Sequence, residues 1–235
     1  VPKSPRSVES AEHFAIAKHI KDEKSVEPTM GRKELLQKMR RELDQRGGAY
    51  KVSSEIKPLI MDEFNAEWVV DTKADPNRRV LYIHGGAYMV GSPRSHRLIT
   101  DRLSKIANAA VLAIDYRLMP ENSRMAGISD CREAYRWVLE NGPDGKSDVD
   151  ALIVAGDSSG GNLALSTVAW ARDNQLTPSE AVVVFSPQTD LTLSSPSLIA
   201  NIDTDIMQGT SFGPVVKAPK AIAFGFSFLM HKMNP

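Results

Sequence analysis

One serine in this 235-residue chain is placed for nucleophilic catalysis. Residues 156–161 read GDSSGG and follow directly on the apolar run ALIVA at 151–155. This order predicts a strand that turns sharply into a helix, with Ser158 strained at the turn and its hydroxyl exposed at the top of a sheet. Gly156 and Gly160 occupy positions where the strand and helix backbones approach too closely for a Cβ atom. We therefore expect Ser158 to be the nucleophile of an acyl-transfer reaction.

A second run of small residues indicates where the oxygen of an attacked carbonyl would bind. Residues 84–88 read HGGAY and follow the apolar stretch VLYI at 80–83. Such a loop leaves backbone N–H groups free, and we expect those of Gly85, Gly86 and Ser159 to form an oxyanion hole. Each motif alone also occurs as an ordinary turn or loop. Both motifs at strand ends, in this order, favour a hydrolase.

The two runs, together with DYRLMPE at residues 115–121, resemble the bacterial members of the hormone-sensitive lipase family of carboxylesterases. The resemblance covers the chain from about residue 30 onward. It implies an α/β-hydrolase fold, with a mainly parallel central sheet flanked by helices and a helical cap. It also implies hydrolysis of short to medium acyl esters through an acyl-enzyme. In this family His84 would have a structural role. We expect Asp157, beside the nucleophile, to be structural as well.

Three residues depart mildly from the family pattern. Ala87 stands where a third glycine is common, Met119 where alanine is usual, and Ser159 where alanine usually follows the nucleophile.

The order of the predicted elements supports the same fold without the family. Wholly apolar strands that alternate with helices predict a parallel sheet covered on both faces. We expect residues 49–191 to form this core, residues 1–48 to form N-terminal cap helices, and residues 192–235 to form a second cap segment. The predicted strands are 51–60, 64–71, 79–83, 109–115, 151–155 and 181–185, and the predicted helices are 10–24, 31–46, 95–108, 128–141 and one that ends near 173.

The partners that a catalytic serine requires are harder to place. The imidazole that takes its proton and the carboxylate that orients it follow the serine in α/β-hydrolases, acid first. His231 is the one histidine after Ser158, and a triad of Ser158, Asp203 and His231 is conceivable. In the resembling family, however, the acid and the histidine follow two further strands. We therefore expect them to lie beyond Pro235 and the chain as printed to be inactive.

Two alternative functions stay open at this point. A hydrolase fold without its histidine could bind a small ligand and leave it unchanged. The intact GDSSG run argues against this, because a binding protein need not keep a strained turn. An amidase or deacetylase could use the same groups as an esterase, and nothing in the sequence separates these activities.

Composition narrows the partners and the cellular location. Lysine and arginine together number 29, as do aspartate and glutamate, so a nucleic acid or an anionic membrane surface is not an expected partner. No run of 18 apolar residues predicts membrane insertion, and the N-terminus lacks the apolar core of a signal peptide. We expect a cytoplasmic protein with a small-molecule ester as substrate, no metal and no organic cofactor. A homodimer is left open.

Overall fold

The computed structural model describes residues 31–189, 195–202 and 204–205. Residues Arg32–Thr189 belong to one compact unit, and the short helix Pro196–Asn201 belongs to another. The predicted helix at 10–24 and the candidate residues Asp203 and His231 lie outside the described residues. The second predicted N-terminal helix belongs to the same unit as the sheet, and the division of the chain into cap and core segments stays a prediction.

A six-stranded sheet forms the centre of the larger unit. The strands are β1 (Glu55–Ile60), β2 (Asn65–Val70), β3 (Asp75–Ile83), β4 (Ala109–Asp115), β5 (Asn141–Gly142), β6 (Gly145–Lys146), β7 (Ala151–Asp157) and β8 (Ala181–Phe185), of which β5 and β6 form a separate hairpin. The order in the sheet is β1-β2-β4-β3-β7-β8. The pairs β1–β2 and β2–β4 are antiparallel, whereas β4–β3, β3–β7 and β7–β8 are parallel.

Helices of the larger unit cover both faces of this sheet, so that the middle strands are buried on both sides, as a parallel sheet requires. Apolar clusters on the two faces share no residue, and residues 80–83 are at most 1% exposed. The mainly parallel sheet predicted from the apolar strands is confirmed. The helices are α1 (Arg32–Ala49), α2 (Arg97–Ala107), α3 (Arg124–Glu140), α4 (Ser158–Asp173) and α5 (Pro196–Asn201), and a 3₁₀ turn at Arg94–His96 precedes α2.

Helix α3 begins four residues earlier than the apolar periodicity predicts. Ser123 is its N-cap residue, and the Ser123 hydroxyl accepts a hydrogen bond of 3.2 Å from the N–H of Ala126. The cap satisfies one of the free N–H groups of the first turn. The first turn of α3 therefore brings Arg124 into the interior, where its side chain is 8% exposed.

Helix α1 is joined to the loops at the carboxyl ends of the strands through Arg40. Its guanidinium donates 2.7 Å to the carbonyl of Met89 and 2.9 Å to that of Met119, and it pairs with Glu121. Gly47 lies so close to the 3₁₀ turn that a Cβ atom there would overlap its backbone. These contacts fix the helix against the loop of residues 84–91.

None of the helices in the described ranges has the length and apolar character needed to cross a membrane.

Candidate active site

Ser158 lies where β7 turns into α4, in a strained backbone conformation. Its φ is 51°, in the left-handed region that residues with a side chain rarely adopt, at a typical cost of about 1–3 kcal/mol. The turn sits directly against the end of β3. A Cβ atom on Gly156 would lie 2.7 Å from the carbonyl oxygen of Ile83, and one on Gly160 would overlap the carbonyls of Ile83 and His84. Both glycines are therefore required by the close approach of the two backbones.

The loop after β3 makes an equally tight turn beside this serine. Gly86, Ala87 and Tyr88 have φ values of 122°, 54° and 63°, three successive residues in the left-handed region. The carbonyl oxygen of Gly86 accepts the N–H groups of Met89 and Val90 at 3.0 and 2.9 Å. We call residues 84–91 the glycine loop.

Asp157 holds the start of the glycine loop. Its Oδ1 accepts a hydrogen bond of 2.9 Å from the N–H of Gly85 and one of 2.7 Å from the hydroxyl of Tyr82. Nε2 of His96 lies 3.5 Å from the same oxygen. Burial alone would raise the pKa of Asp157, but the hydrogen bonds from His96, Tyr82 and Gly85 lower that pKa below its usual value. Asp157 is therefore a fixed negative charge that tethers the loop to the strand that precedes the serine.

This tether bears on the prediction that Gly85 lines an oxyanion hole. In the structure the N–H of Gly85 donates to Asp157, so it is engaged within the protein. Among the described residues, no acceptor faces the N–H of Gly86 or that of Ala87. The N–H groups of Gly86 and Ala87 are therefore both free within the described part of the chain. The sequence alone did not indicate this for Ala87, because the acceptor of the Gly85 N–H lies 72 residues away.

His84 is packed inside the protein beneath the loop. Its Nδ1 lies 2.8 Å from the carbonyl oxygen of Gly85, and its ring stacks on Tyr116 with centroids 4.4 Å apart. The glycine loop folds back over the ring, because a Cβ atom on Gly91 would lie 2.6 Å from Nδ1. Burial lowers the pKa of His84 to about 3, and the neighbouring His96 adds to this effect. His84 is consequently neutral at physiological pH.

The described residues contain two histidines, and both rings contact groups other than Ser158. Nδ1 of His96 lies 2.8 Å from the Ser95 hydroxyl and its Nε2 faces Asp157, whereas His84 is 1% exposed. No contact in the described ranges joins either imidazole to Ser158. The acid and the histidine of the triad, predicted beyond Pro235, are not part of these ranges. The alternative residues Asp203 and His231 also lie outside them.

Polar contacts tie the turn at residues 157–160, which we call the serine turn, to its surroundings on two sides. The carbonyl of Ser158 accepts the N–H of Gln188 at 3.0 Å, and Ser159 Oγ lies 3.3 Å from the N–H of Tyr88. One helical turn further along, the Asn162 amide donates 2.9 Å to the carbonyl of Gln188 and accepts the Tyr88 hydroxyl at 3.1 Å. The serine turn, the glycine loop and the loop after β8 therefore form one connected unit.

No cluster of three or more histidine, cysteine, aspartate or glutamate side chains within the described residues is arranged to hold a metal ion. Cys131, the single cysteine of the chain, is buried on α3, as its place in the apolar pattern predicts.

A family model for the alpha/beta hydrolase fold matches residues 80–213, more than half of the chain. The chain belongs to this family. It resembles an esterase from the bacterial hormone-sensitive lipase family, with 26% identity, a TM-score of 0.71, and coverage of 93% of this chain and 74% of that one. The family predicted from the three motifs is thereby confirmed.

Curated relatives and a further structure share the same region. An acetyl-hydrolase of Streptomyces hygroscopicus is 39% identical over 62% of this chain, and the esterase LipU of Mycobacterium tuberculosis is 38% identical over 57% of it. The chain matches 47% and 44% of the lengths of these two relatives. The esterase EstE5, in a crystal soaked with p-nitrophenyl butyrate, is 29% identical with a TM-score of 0.72, over 93% of this chain and 68% of that one.

The buried position of His84 predicts a specific loss of stability in acid. Because the pKa of His84 is lower in the folded protein than in the unfolded chain, the unfolded chain binds an additional proton below pH 6.5. Between pH 6.5 and 4.5 this effect should lower the free energy of unfolding by about 2 kcal/mol. In His84→Asn, whose amide can replace the contact to Gly85 but does not titrate, the decrease over this range should be smaller by that amount.

Urea unfolding of both proteins at several pH values measures the difference, in which the other titrating groups cancel. Equal pH dependence in the two proteins would show that His84 is accessible to protons in the folded state.

Proposed function

We propose that the complete protein hydrolyses carboxylic esters with short to medium acyl chains, using Ser158 as its nucleophile. The observation that carries this proposal is the strained Ser158 beside a loop in which two successive N–H groups lack an acceptor among the described residues. Strain of this kind persists only where the surrounding structure imposes it, and it clusters at active sites. The names of the relatives support the same class of reaction, since they include an acetyl-hydrolase and an esterase.

In the first half of the proposed reaction, Ser158 Oγ attacks the carbonyl carbon of the ester. The new C–O bond pushes the carbonyl electron pair onto the oxygen, and the Ser158 proton passes to a general base. The N–H groups of Gly86, Ala87 and Ser159 would donate to the oxyanion, and Ser159 lies in the first turn of α4, where the helix dipole also favours negative charge.

In the second half, the tetrahedral intermediate collapses and the alkoxide leaves as the alcohol with the proton from the base. Water then attacks the acyl-enzyme by the same route and releases the acid and free Ser158. The base would be a histidine oriented by a carboxylate, and neither described histidine is positioned for that role. A cytoplasmic location and a homodimer stay predictions.

Replacing the nucleophile tests this proposal. In the complete protein, Ser158→Ala should abolish labelling by a fluorophosphonate and lower kcat/KM for p-nitrophenyl butyrate by at least about 1,000-fold, as loss of a triad member does. Ser159→Ala is the matched control, because it keeps its backbone N–H and loses only the side-chain contacts to Tyr88 and Tyr116. It should be labelled and stay within about fivefold of the parent rate.

More than a tenth of the parent rate in Ser158→Ala would rule out the assignment. A parent protein that is not labelled and does not cleave the ester would favour the binding-protein alternative. Parallel assays with the matching anilide separate esterase from amidase.

The glycine loop gives a second, independent prediction. Gly86→Ala would require alanine at a φ of 122° and would place its Cβ against the carbonyl of Val90, so the loop must shift. The lost hydrogen bond is made mainly to the transition state, so kcat should fall about 100- to 1,000-fold with little change in KM. Ala87→Gly keeps its N–H and relieves a φ of 54°, so its kcat should match that of the parent.

Steady-state kinetics of the two variants, with circular dichroism to check folding, measure this difference. An effect of Gly86→Ala confined to KM would mean that the loop only binds the substrate.

A further inference from the structure

Arg124 is a buried cation without a carboxylate partner in the described part of the chain. It is 8% exposed, and within the described residues its hydrogen bonds come from one nitrogen, Nη2, to the Tyr88 hydroxyl at 3.3 Å and to the Asn162 side-chain oxygen at 3.2 Å. The guanidinium carbon lies 4.5 Å from the centre of the Tyr88 ring. Its Nε is buried and has no hydrogen-bond partner among the residues that the structure describes.

A second buried arginine shows what full compensation looks like in this protein. Every guanidinium nitrogen of Arg79 donates to oxygen, to the carbonyls of Pro76, Val138, Ser147 and Asp148 and to the Ser147 hydroxyl. Arg124 has two longer contacts in their place.

The position of Arg124 adds to this deficit. It is the first residue of α3, and a positive charge at a helix N-terminus is disfavoured by the helix dipole. A buried charge without a partner is strongly unfavourable, and the cation–π contact with Tyr88 offsets only part of that cost. An anion beside Nε would remove this energetic cost.

The two groups that contact Arg124 belong to the glycine loop and to α4, the helix that begins at Ser158. Tyr88 is part of the glycine loop, and Asn162 follows Ser158 by four residues on α4, on the same face of the helix and about 6 Å along its axis. Gln188 contacts both Ser158 and Asn162. The guanidinium therefore contacts a side chain that lies one helical turn from the proposed nucleophile.

We propose that Arg124 binds a carboxylate at the far end of the acyl chain, and that the substrates of this protein are monoesters of short dicarboxylic acids. This proposal rests on the proposed esterase function. The Nε–H would donate to one carboxylate oxygen, and the second oxygen would replace Tyr88 or Asn162 as an acceptor of Nη2, whose present contacts are long. In a glutarate monoester, four C–C bonds separate the carboxylate carbon from the ester carbon, roughly 5 Å when extended, comparable with the distance from Ser158 to Asn162 along α4.

The carboxylate could have a second source, a side chain elsewhere in the complete protein. The two sources predict different kinetics. A substrate carboxylate makes Arg124 matter for the choice between charged and neutral esters, whereas an internal carboxylate makes it matter for both esters equally.

The test compares monoethyl glutarate with ethyl pentanoate, which has the same acyl chain length and no charge. Both are assayed with the complete protein by pH-stat at pH 7.5. The parent should favour monoethyl glutarate in kcat/KM by about 10- to 100-fold, the range expected of a charge-assisted hydrogen-bonded pair. Arg124→Met should abolish this preference, mainly through the KM of monoethyl glutarate, and Arg124→Lys should restore part of it.

Arg136→Met is the matched control, because it removes the same charge from an exposed position on the same helix, over Trp170. It should leave both the ratio and the rates unchanged.

Three outcomes would overturn the subsite. They are a parent protein without preference for monoethyl glutarate, an Arg124→Met variant that keeps the preference, and equal losses on both esters in that variant. The first is decisive even if no Arg124 variant folds. Failure of the parent to cleave either ester would instead contradict the proposed function itself.

Discussion

The close contact between the end of β3 and the start of α4 is the constraint on which the rest of the site depends. Gly156 and Gly160 have no room for a side chain because the carbonyls of Ile83 and His84 lie against them. The contact places the turn that carries Ser158 directly beside the loop that leaves β3. Nucleophile and loop therefore come from strands that are neighbours in the sheet, β7 and β3, although the two motifs begin 72 residues apart. A larger residue at either glycine would separate them.

Asp157 converts this proximity into a defined geometry. Its carboxylate binds the N–H of Gly85 and is itself held by Tyr82 and His96. With the N–H of Gly85 engaged, the N–H groups of Gly86 and Ala87 have no acceptor among the described residues and remain available. The neutral ring of His84 supports the loop from below through the carbonyl of Gly85. The acidic residue beside the nucleophile thus has an evident structural task, and this task determines which backbone groups are left for a ligand.

Features that depend on neighbouring residues in the sequence could be predicted from it. The strands and the strand–turn–helix around Ser158 follow from apolar runs and from two glycines spaced four apart, and both are present. The engagement of the Gly85 N–H could not be predicted, because its acceptor, the side chain of Asp157, is remote in sequence. The early start of α3 was missed because the Ser123 cap, not the apolar face, determines it. The unpaired state of Arg124 depends on three separate segments, so no single stretch of sequence could reveal it.

The arrangement of N–H donors is best tested by a crystal structure of the complete protein inactivated with a small alkyl phosphonate. The phosphorus should be bonded to Ser158 Oγ, with the phosphonyl oxygen about 3 Å from the nitrogens of Gly86, Ala87 and Ser159. The N–H of Gly85 should still donate to Asp157. A phosphonyl oxygen bound by Gly85, with Asp157 released from the loop, would contradict this description of the site.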